Sequence, residues 1–176
     1  TLFLDTTPPS AASLAAPAAA TETRNVTIRF TWSVASDTHS GLASHRLQVD
    51  TSGAFSSLVA DSPLSAAATA ETLTLSANDT YFWRVLARDD AGNTSAPAGR
   101  LLILDTTPPG ISLGMTPVVG TETRGITISF TWSAGSDLLS GLFEHRLQID
   151  TAGTFANLVA DSAAGLATAG ARTLYG

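Results

Sequence analysis

Cysteine and lysine are both absent from the 176 residues. Without cysteine, the chain cannot form disulfides, use a thiol nucleophile or bind zinc through thiolates. The compartment stays open, because a cytosolic protein and a bacterial surface protein with domains of this size can both fold without disulfides. All nine basic residues are arginines that occur singly. The sequence therefore has no basic patch for nucleic acid, and we expect no nucleic-acid partner.

Charged residues and long apolar runs are also scarce. Only 14% of the chain is charged, with a formal net charge of −6. No stretch approaches the roughly 20 consecutive apolar residues that a membrane-spanning helix needs, so we expect no membrane insertion in this segment. The 44% of hydrophobic residues is nevertheless typical of a folded protein rather than a disordered one.

Recognisable catalytic motifs are missing as well. The sequence contains no HExxH, no glycine-rich phosphate loop and no GxSxG elbow. His39 lies in a predicted turn, whereas His45 and His145 lie on predicted strands, on the face expected to be buried. A buried strand histidine with one satisfied ring nitrogen explains these two positions better than a nucleophile–base pair does. We therefore predict that the chain is not an enzyme.

The most informative feature that the chain does contain is an internal repeat with an offset of 100 residues. Asp-Thr-Thr-Pro-Pro occupies residues 5–9 and 105–109, Phe-Thr-Trp-Ser residues 30–33 and 130–133, and His-Arg-Leu-Gln residues 45–48 and 145–148. Solenoid repeats usually run about 20–50 residues, so this period matches a whole domain instead. The sequence predicts a tandem array of domains that each bury their own core.

The repeat divides the chain into three predicted segments. We expect residues 1–5 to be the last strand of a preceding repeat, residues 6–105 a complete β-sandwich, and residues 106–176 a second repeat truncated before its last two strands. The chain is thus expected to be a piece of a longer polypeptide. Loss of the sixth strand should uncover the inner faces of Trp132, Leu147 and Ile149. We favour a continuation of the same chain, rather than strand exchange between chains, as the source of the missing strand.

Alternating apolar residues predict that each repeat is all-β. The inward rows expected in the complete unit are Val26, Ile28, Phe30 and Trp32; His45, Leu47 and Val49; Leu73 and Leu75; and Tyr81, Trp83, Val85 and Ala87. Copy two keeps the first row as Ile126, Ile128, Phe130 and Trp132. Residues 100–104 close the unit, and the alanine-rich stretches 11–20 and 65–70 are expected to be loop or irregular edge strand. Six or seven short strands with regular turns predict a sandwich.

Several of these motifs resemble the fibronectin type III-like, immunoglobulin-like repeats of bacterial surface and secreted proteins. They are a tryptophan on the second strand (Trp32, Trp132), the tyrosine corner of Tyr81-x-Trp83-x-Val85, the Asp-Thr-Thr-Pro-Pro linker and the Asp-x-x-Ser-Gly-Leu and Asp-x-Ala-Gly-Asn turns. His45 and His145 depart from the resemblance, since the third strand more often carries an aromatic such as Tyr. The resemblance implies tandem immunoglobulin-like (fibronectin type III-like) β-sandwiches.

Acidic turn residues form the one candidate metal site. In a sandwich of this topology the linker, the turn between the second and third strands and the turn between the sixth and seventh strands meet at one end. Several carboxylates there would suit calcium, which takes six to eight oxygen ligands. The candidate ligands are Asp5, Asp37, Asp89, Asp90 and Asn93, with Asp105 and Asp137 for an equivalent site in copy two. The alternative is that Asp and Asn are ordinary turn formers here.

Two further motifs concern the linkers and the asparagines. Paired prolines fix φ and push the preceding residue toward extended geometry, so the Thr-Thr-Pro-Pro link should be short and semi-rigid. Asn25, Asn78 and Asn93 match the glycosylation acceptor pattern. Chance matches are expected in a chain this rich in Ser and Thr.

The sequence favours a mechanical function over a chemical one. The leading hypothesis is a non-catalytic structural segment (a stalk, spacer or fibre) of a bacterial extracellular or cell-surface protein. Its expected partners are the neighbouring repeats of the same chain, and copies that associate laterally into a fibre. The alternatives are a glycan- or protein-binding adhesin module and an accessory domain of a secreted hydrolase. A glycan-binding module would need exposed aromatics. All three tryptophans lie on predicted core faces, and Phe82 is the one aromatic expected to face outward.

Overall fold

The computed structural model describes residues 4–118, 120–122, 124 and 127–173, with side chains up to residue 170. It divides into two compact units, one ending at Thr107 and the other beginning at Pro108. Every regular element in the described ranges is a β-strand. Among these residues, no helix has the length and apolar character to cross a membrane. The expected class, all-β, is confirmed.

Eight strands form the first unit as two sheets. They are β1 (Leu14–Ala16), β2 (Thr21–Thr23), β3 (Thr27–Trp32), β4 (Leu42–Asp50), β5 (Ala60–Ser65), β6 (Ala70–Thr74), β7 (Asp79–Asp89) and β8 (Ala98–Leu104). One sheet has the order β1-β3-β6 and the other β2-β8-β7-β4-β5. All pairs are antiparallel except β2 with β8. This is the open, two-sheet arrangement of an immunoglobulin-like, fibronectin type III-like β-sandwich.

The core between these sheets consists of every second side chain along the strands, because successive side chains point to opposite faces. Phe30 on β3 and Trp83 on β7 are fully buried and meet edge to face, with ring centroids 5.1 Å apart. Such a contact adds about 0.5–1.5 kcal/mol beyond the area that the rings bury. The inward row of β7 is buried as expected from the sequence, because alternate side chains of a strand point to the same face.

The predicted strands of the first unit are present, and the sequence missed two. They are β2, a three-residue strand beside β8, and β5, which pairs with β4 from Ser44↔Ser65 to Val49↔Ala60. The alanine-rich stretch 11–20 contains β1, whose pairing with β3 shifts register between Leu14 and Ala16. It is therefore the irregular edge strand that the sequence predicts.

Two expected orientations are wrong. Val26 was expected to face inward, but it is 38% exposed because it lies just before β3 begins. Because Gln48 follows the inward-facing Leu47 on β4, alternation predicts that it faces outward, but it is only 7% exposed. Its amide oxygen accepts a hydrogen bond from Arg84 Nε at 2.8 Å, so the long polar side chains of neighbouring strands cover it.

Four strands are described in the second unit. They are β9 (Thr127–Thr131), β10 (His145–Asp150), β11 (Leu158–Gly165) and β12 (Ala169–Thr173), paired as β12-β9 and β10-β11. The expected exposure of Trp132 and Leu147 is wrong, since they are only 8% and 6% exposed. A Cβ added to Gly170 would lie 3.7 Å from Cη2 of Trp132, so β12 lies beside the edge of that ring. Ile149 is half-buried.

Parts of the expected domain plan remain predictions. The assignment of residues 1–5 to a preceding repeat is untested, and residues 1–3 lie outside the described residues, as does Ile126. The truncation of the second repeat also stays a prediction. The observed division after Thr107 falls two residues beyond the expected end of the complete sandwich.

Candidate functional site

Three carboxylates converge at one end of the first unit. Asp5 comes from the linker before β1, Asp37 from the turn between β3 and β4, and Asp89 is the last residue of β7. One carboxylate oxygen from each lies within 4.8 Å of the others. The sheet topology brings these separate segments together, and we call Asp5, Asp37 and Asp89 the acidic cluster.

Asp37 organises the β3–β4 turn by accepting hydrogen bonds from the backbone. Its Oδ1 accepts the N–H groups of His39 at 3.0 Å and of Ser40 and Gly41 at 2.9 Å each. Gly41 has a φ of +89°, a backbone conformation that glycine adopts without the steric cost of a Cβ. The aspartate is therefore a turn former in its own right.

The second unit repeats this turn around Asp137. Its Oδ1 accepts the N–H groups of Leu139, Ser140 and Gly141 at 3.1, 3.0 and 3.0 Å. The same local chemistry in two independent copies shows that the Asp-x-x-Ser-Gly motif specifies this turn. Asp105, at the end of the first unit, accepts the N–H of Thr107 at 2.9 Å.

Asp5 attaches the entering linker to the β3–β4 turn. Its Oδ2 accepts Ser40 Oγ–H at 2.6 Å and Ser40 N–H at 3.1 Å, and its Oδ1 accepts the N–H of Thr7 at 2.9 Å. These donors favour the charged form, so the Ser40 hydroxyl, followed by the Thr7 N–H, lowers the pKa of the Asp5 carboxyl. The linker is thereby held by a charge-assisted contact.

Asp89 and Asn93 hold the same linker from the other side. Asp89 is buried and accepts Asn93 N–H at 2.8 Å and Asn93 Nδ2–H at 2.9 Å. The Asn93 amide also donates to the backbone carbonyl of Asp5 at 3.2 Å. Two loops of the unit therefore hold Asp5, one through its side chain and one through its main chain.

Asn78 holds the linker that leaves the first unit, as Ser40 and Asn93 hold the linker that enters it. Its Oδ1 accepts Thr106 N–H at 3.0 Å and Thr106 Oγ–H at 2.8 Å, and its Nδ2 donates to Thr107 Oγ at 2.5 Å. Sequence reasoning missed this role, because the Asn78-Asp79 pair is indistinguishable from any other turn. The amide nitrogens of Asn78 and Asn93, which a glycan would modify, are thus engaged in hydrogen bonds.

The acidic cluster offers part of what a calcium ion requires. Three converging carboxylate oxygens would supply three of six to eight ligands, and the nearby loops carry backbone carbonyls. Asp90 is exposed, its N–H donates to Gly41 O at 3.1 Å, and it is not among the converging carboxylates. Calcium binding at these positions, and at the equivalent Asp105 and Asp137, stays a prediction.

The two strand histidines are buried and accept backbone hydrogen bonds. His45 is buried, its Nε2 accepts the N–H of Ala35 at 3.3 Å, and its Nδ1 lies 3.4 Å from Ser65 O. Burial lowers the pKa of His45. Since Nε2 accepts the Ala35 N–H, the ring proton lies on Nδ1, beside Ser65 O. In the second unit, His145 Nε2 accepts the N–H of Gly135 at 3.1 Å. His145 Nδ1 has no partner among the described residues.

An apolar groove on the first unit was not anticipated. It encloses about 430 Å³ and is lined by Ala19, Ala20, Phe55, Phe82, Gly99 and Leu101 among others. The guanidinium of Arg84 lies 4.0 Å from the centre of the Phe55 ring. Phe143 and Phe155 are exposed in the second unit, so the expectation that Phe82 alone faces outward is wrong. These phenylalanines lie outside the regular strands, where alternation makes no prediction.

No family model and no curated protein matches the sequence. Among solved structures, the chain is similar to the FN1–FN3 domains of chicken CNTN1, with 9% identity and a TM-score of 0.42, over 95% of this chain and 56% of that one. It is also similar to chitinase ChiA74 from Bacillus thuringiensis, with 13% identity and a TM-score of 0.45, over 98% of this chain and 28% of that one. The chain thus spans only part of each structure. Because both similarities are distant, the fibronectin type III-like fold follows from the strand order of the chain itself.

Proposed function

We propose that this chain is a non-catalytic structural segment, a stalk or spacer, of a bacterial extracellular or cell-surface protein. Sandwiches with their own cores, joined by short proline-containing linkers, hold other modules of the protein away from the envelope. The function is mechanical, and it depends on how firmly each linker is attached to the sandwich beside it.

The attachment of both linkers to the first unit is the observation that supports this proposal. Ser40 and Asn93 bind Asp5 at the entrance, and Asn78 binds Thr106 and Thr107 at the exit. The paired prolines that follow restrict the backbone further. A link with a restricted backbone and hydrogen-bonded ends passes orientation and force from one domain to the next, instead of letting them tumble freely.

The stiffness can be measured with two spin labels. Since the chain has no cysteine, Thr74→Cys and Asn157→Cys, both at exposed positions, provide one label in each unit. Pulsed electron paramagnetic resonance is expected to give a narrow distribution of distances. Asn78→Ala should broaden it, because the linker loses three hydrogen bonds.

Asn25→Ala is the matched control, since the Asn25 side chain accepts its hydrogen bond from Thr27 N–H, two residues along the chain. It should leave the distance distribution unchanged. A broad distribution in the chain with the intact linker would contradict the proposed spacer function.

A binding module for protein or glycan is the second candidate, and the groove containing Phe55 and Phe82 favours it. Aromatic walls with few polar groups are typical of ligand sites. Titration with oligosaccharides, followed through the backbone amide signals of Gly53 and Gly99, tests the glycan form of this hypothesis. An accessory segment of a secreted hydrolase would use the same mechanical properties as a stalk, so it is a variant of the first candidate.

A further inference from the structure

Strand β10 has one neighbour fewer than its counterpart in the first unit. By the offset of the repeat, β9, β10, β11 and β12 correspond to β3, β4, β5 and β6. In the first unit β4 lies between β5 and β7, whereas β10 pairs only with β11 among the residues that the structure describes. One edge of β10 is therefore open in these ranges, and an open edge is a template for a further strand.

The side chains of β10 are less covered than those of β4. Both strands contain His-Arg-Leu-Gln, followed by Val49 in β4 and by Ile149 in β10. Val49 is fully buried, but Ile149 is only half-buried. Gln48 is buried and accepts a hydrogen bond from Arg84 of β7, whereas Gln148 is exposed. A strand in the place of β7 would cover both of these side chains of β10.

A cavity of about 280 Å³ lies along this strand. Four consecutive residues line it, namely Glu144, His145, Arg146 and Leu147, together with Trp132 from the facing sheet and others. Successive side chains of a strand point to opposite faces. Because both faces contribute to the lining, the cavity follows the edge of the strand, where the backbone of a further strand would lie.

The first unit shows how such an edge is filled. There β7 pairs with β4 antiparallel, with Leu47 opposite Val85 and Val49 opposite Trp83. All four side chains are fully buried. Since β10 repeats the sequence of β4, it offers the same register to an incoming strand. A second copy of the chain cannot supply that strand, because its own β7 is held between β8 and β4.

Charge supports the same register beside the first residue of β10. In the first unit Ser44 lies opposite Arg88, and the position equivalent to Ser44 in the second unit holds the exposed Glu144. The neighbouring Arg146 is already paired with Asp161 at 2.6 Å. Opposite charges directly across two strands favour pairing. An arginine in the place of Arg88 would therefore meet a carboxylate in the second unit.

We propose that the open edge of β10 binds one extended peptide segment from outside these 176 residues, antiparallel and with the residue pattern of β7. The segment carries an aromatic residue opposite Ile149 and a β-branched residue opposite Leu147. It carries a small residue opposite His145 and an arginine opposite Glu144. Main-chain hydrogen bonds supply affinity in such strand addition, and alternate side chains supply specificity. The interaction goes beyond the proposed spacer function and does not depend on it.

A labelled peptide with the sequence of residues 79–89 is the probe, titrated into the 176-residue chain. Fluorescence anisotropy should show saturable binding. Backbone amide signals of β10 should shift in nuclear magnetic resonance spectra, whereas those of β4, whose two edges are occupied, should stay in place. A peptide of the same composition in shuffled order is the control and should not bind. Trp83→Ala in the peptide should weaken binding about tenfold or more, because it removes the largest buried side chain.

Charge reversal tests the register. Arg88→Glu in the peptide should weaken binding about fivefold, because two carboxylates would then face each other. The chain variant Glu144→Arg should restore the affinity for that peptide. Glu22→Arg, the same change at an exposed position of the first unit, should not restore it. Binding that stays weak with Glu144→Arg would refute this register.

Three further results would overturn the inference. Equal binding of the shuffled peptide would mean general adhesion to apolar surface. Shifts in β4 instead of β10 would mean that the peptide exchanges with β7 of the first unit. The absence of binding at peptide concentrations up to about 1 mM would exclude the site. Since the spin-label distances are measured without peptide, each of these results would leave the spacer function intact.

Discussion

The hydroxyl of Tyr81 donates a 2.8 Å hydrogen bond to the carbonyl of Ala77. This contact joins the start of β7 to the loop before it, and Tyr81 is almost fully buried. Tyr81→Phe removes only the hydroxyl and leaves the carbonyl without this donor. We expect the free energy of unfolding to fall by about 1–3 kcal/mol, measured by urea denaturation. Thr38→Ala, which removes an exposed hydroxyl, is the control and should change stability by less than about 0.5 kcal/mol.

Phe30 contributes to the same core from the opposite sheet. Because it is fully buried and contacts Trp83, Phe30→Ala should cost the first unit about 3–5 kcal/mol. The equivalent change in the second unit, Phe130→Ala, acts on a half-buried ring and should cost less. Hydrogen exchange of amides within β3 and β9 measures the two units separately. Equal losses would contradict this account of the core.

The buried His45 predicts a pH dependence of stability. Burial lowers its pKa below the ordinary value of 6.5, so the unfolded chain binds the proton more readily than the folded chain does. The contribution of His45 is therefore complete above about pH 6.5 and is lost as the pH falls below it. We expect the melting temperature to drop between pH 7 and pH 5, an interval that lies above the ordinary pKa values of Asp and Glu, about 3.9 and 4.3.

His45→Gln is the variant that isolates this effect. Its amide can accept the Ala35 N–H but does not titrate, so the slope of melting temperature against pH should decrease. His39→Gln, at an exposed turn position, is the control. If nuclear magnetic resonance gave His45 a pKa above 6.5, the physical explanation would be wrong.

The Ser40 hydroxyl is the main cause of the lowered pKa of Asp5. Ser40→Ala removes that donor and should raise the pKa of Asp5 toward 3.8, its ordinary value. Carbon-detected nuclear magnetic resonance of the carboxyl group measures this shift directly. An unchanged pKa would mean that Ser40 does not hold the linker in solution.

Calcium binding by the acidic cluster remains to be tested. Since a ligand present at 100 times its dissociation constant stabilises the folded state by about 2.7 kcal/mol, millimolar calcium should raise the melting temperature relative to chelator. Asp5→Asn should reduce the rise, whereas Asp61→Asn, which lies on β5 away from the cluster, should not. Identical melting curves in calcium and chelator would leave these aspartates as turn formers only.

The inward rows on β3, β4 and β7 were predictable because each strand has one buried face. Alternation then states which side chains are buried, and Phe30, Leu47 and Trp83 follow it. Gln48 and Val26 depart from it for reasons that alternation does not include. Gln48 is covered by a neighbouring strand's arginine, and Val26 precedes its strand.

The candidate site was predictable only in part. Once the topology of the sandwich is assumed, the sequence predicts that Asp5, Asp37 and Asp89 lie at one end. The structure places one carboxylate oxygen of each within 4.8 Å of the others. The attachment of Thr106 by Asn78, the groove around Phe55 and the unequal surfaces of the two copies need coordinates. Each depends on residues far apart in the chain or on loop geometry, for which the sequence has no periodic signal.

By itself, the amino-acid sequence determined the repeat, the all-β class, the buried rows and the turn residues. These features are local, since period-two alternation and turn chemistry act over a few neighbouring residues. Only the tertiary structure decided which turns meet, which side chains hold the linkers and where an apolar surface stays uncovered. Those outcomes depend on how the two sheets pack, because packing alone brings distant residues into contact.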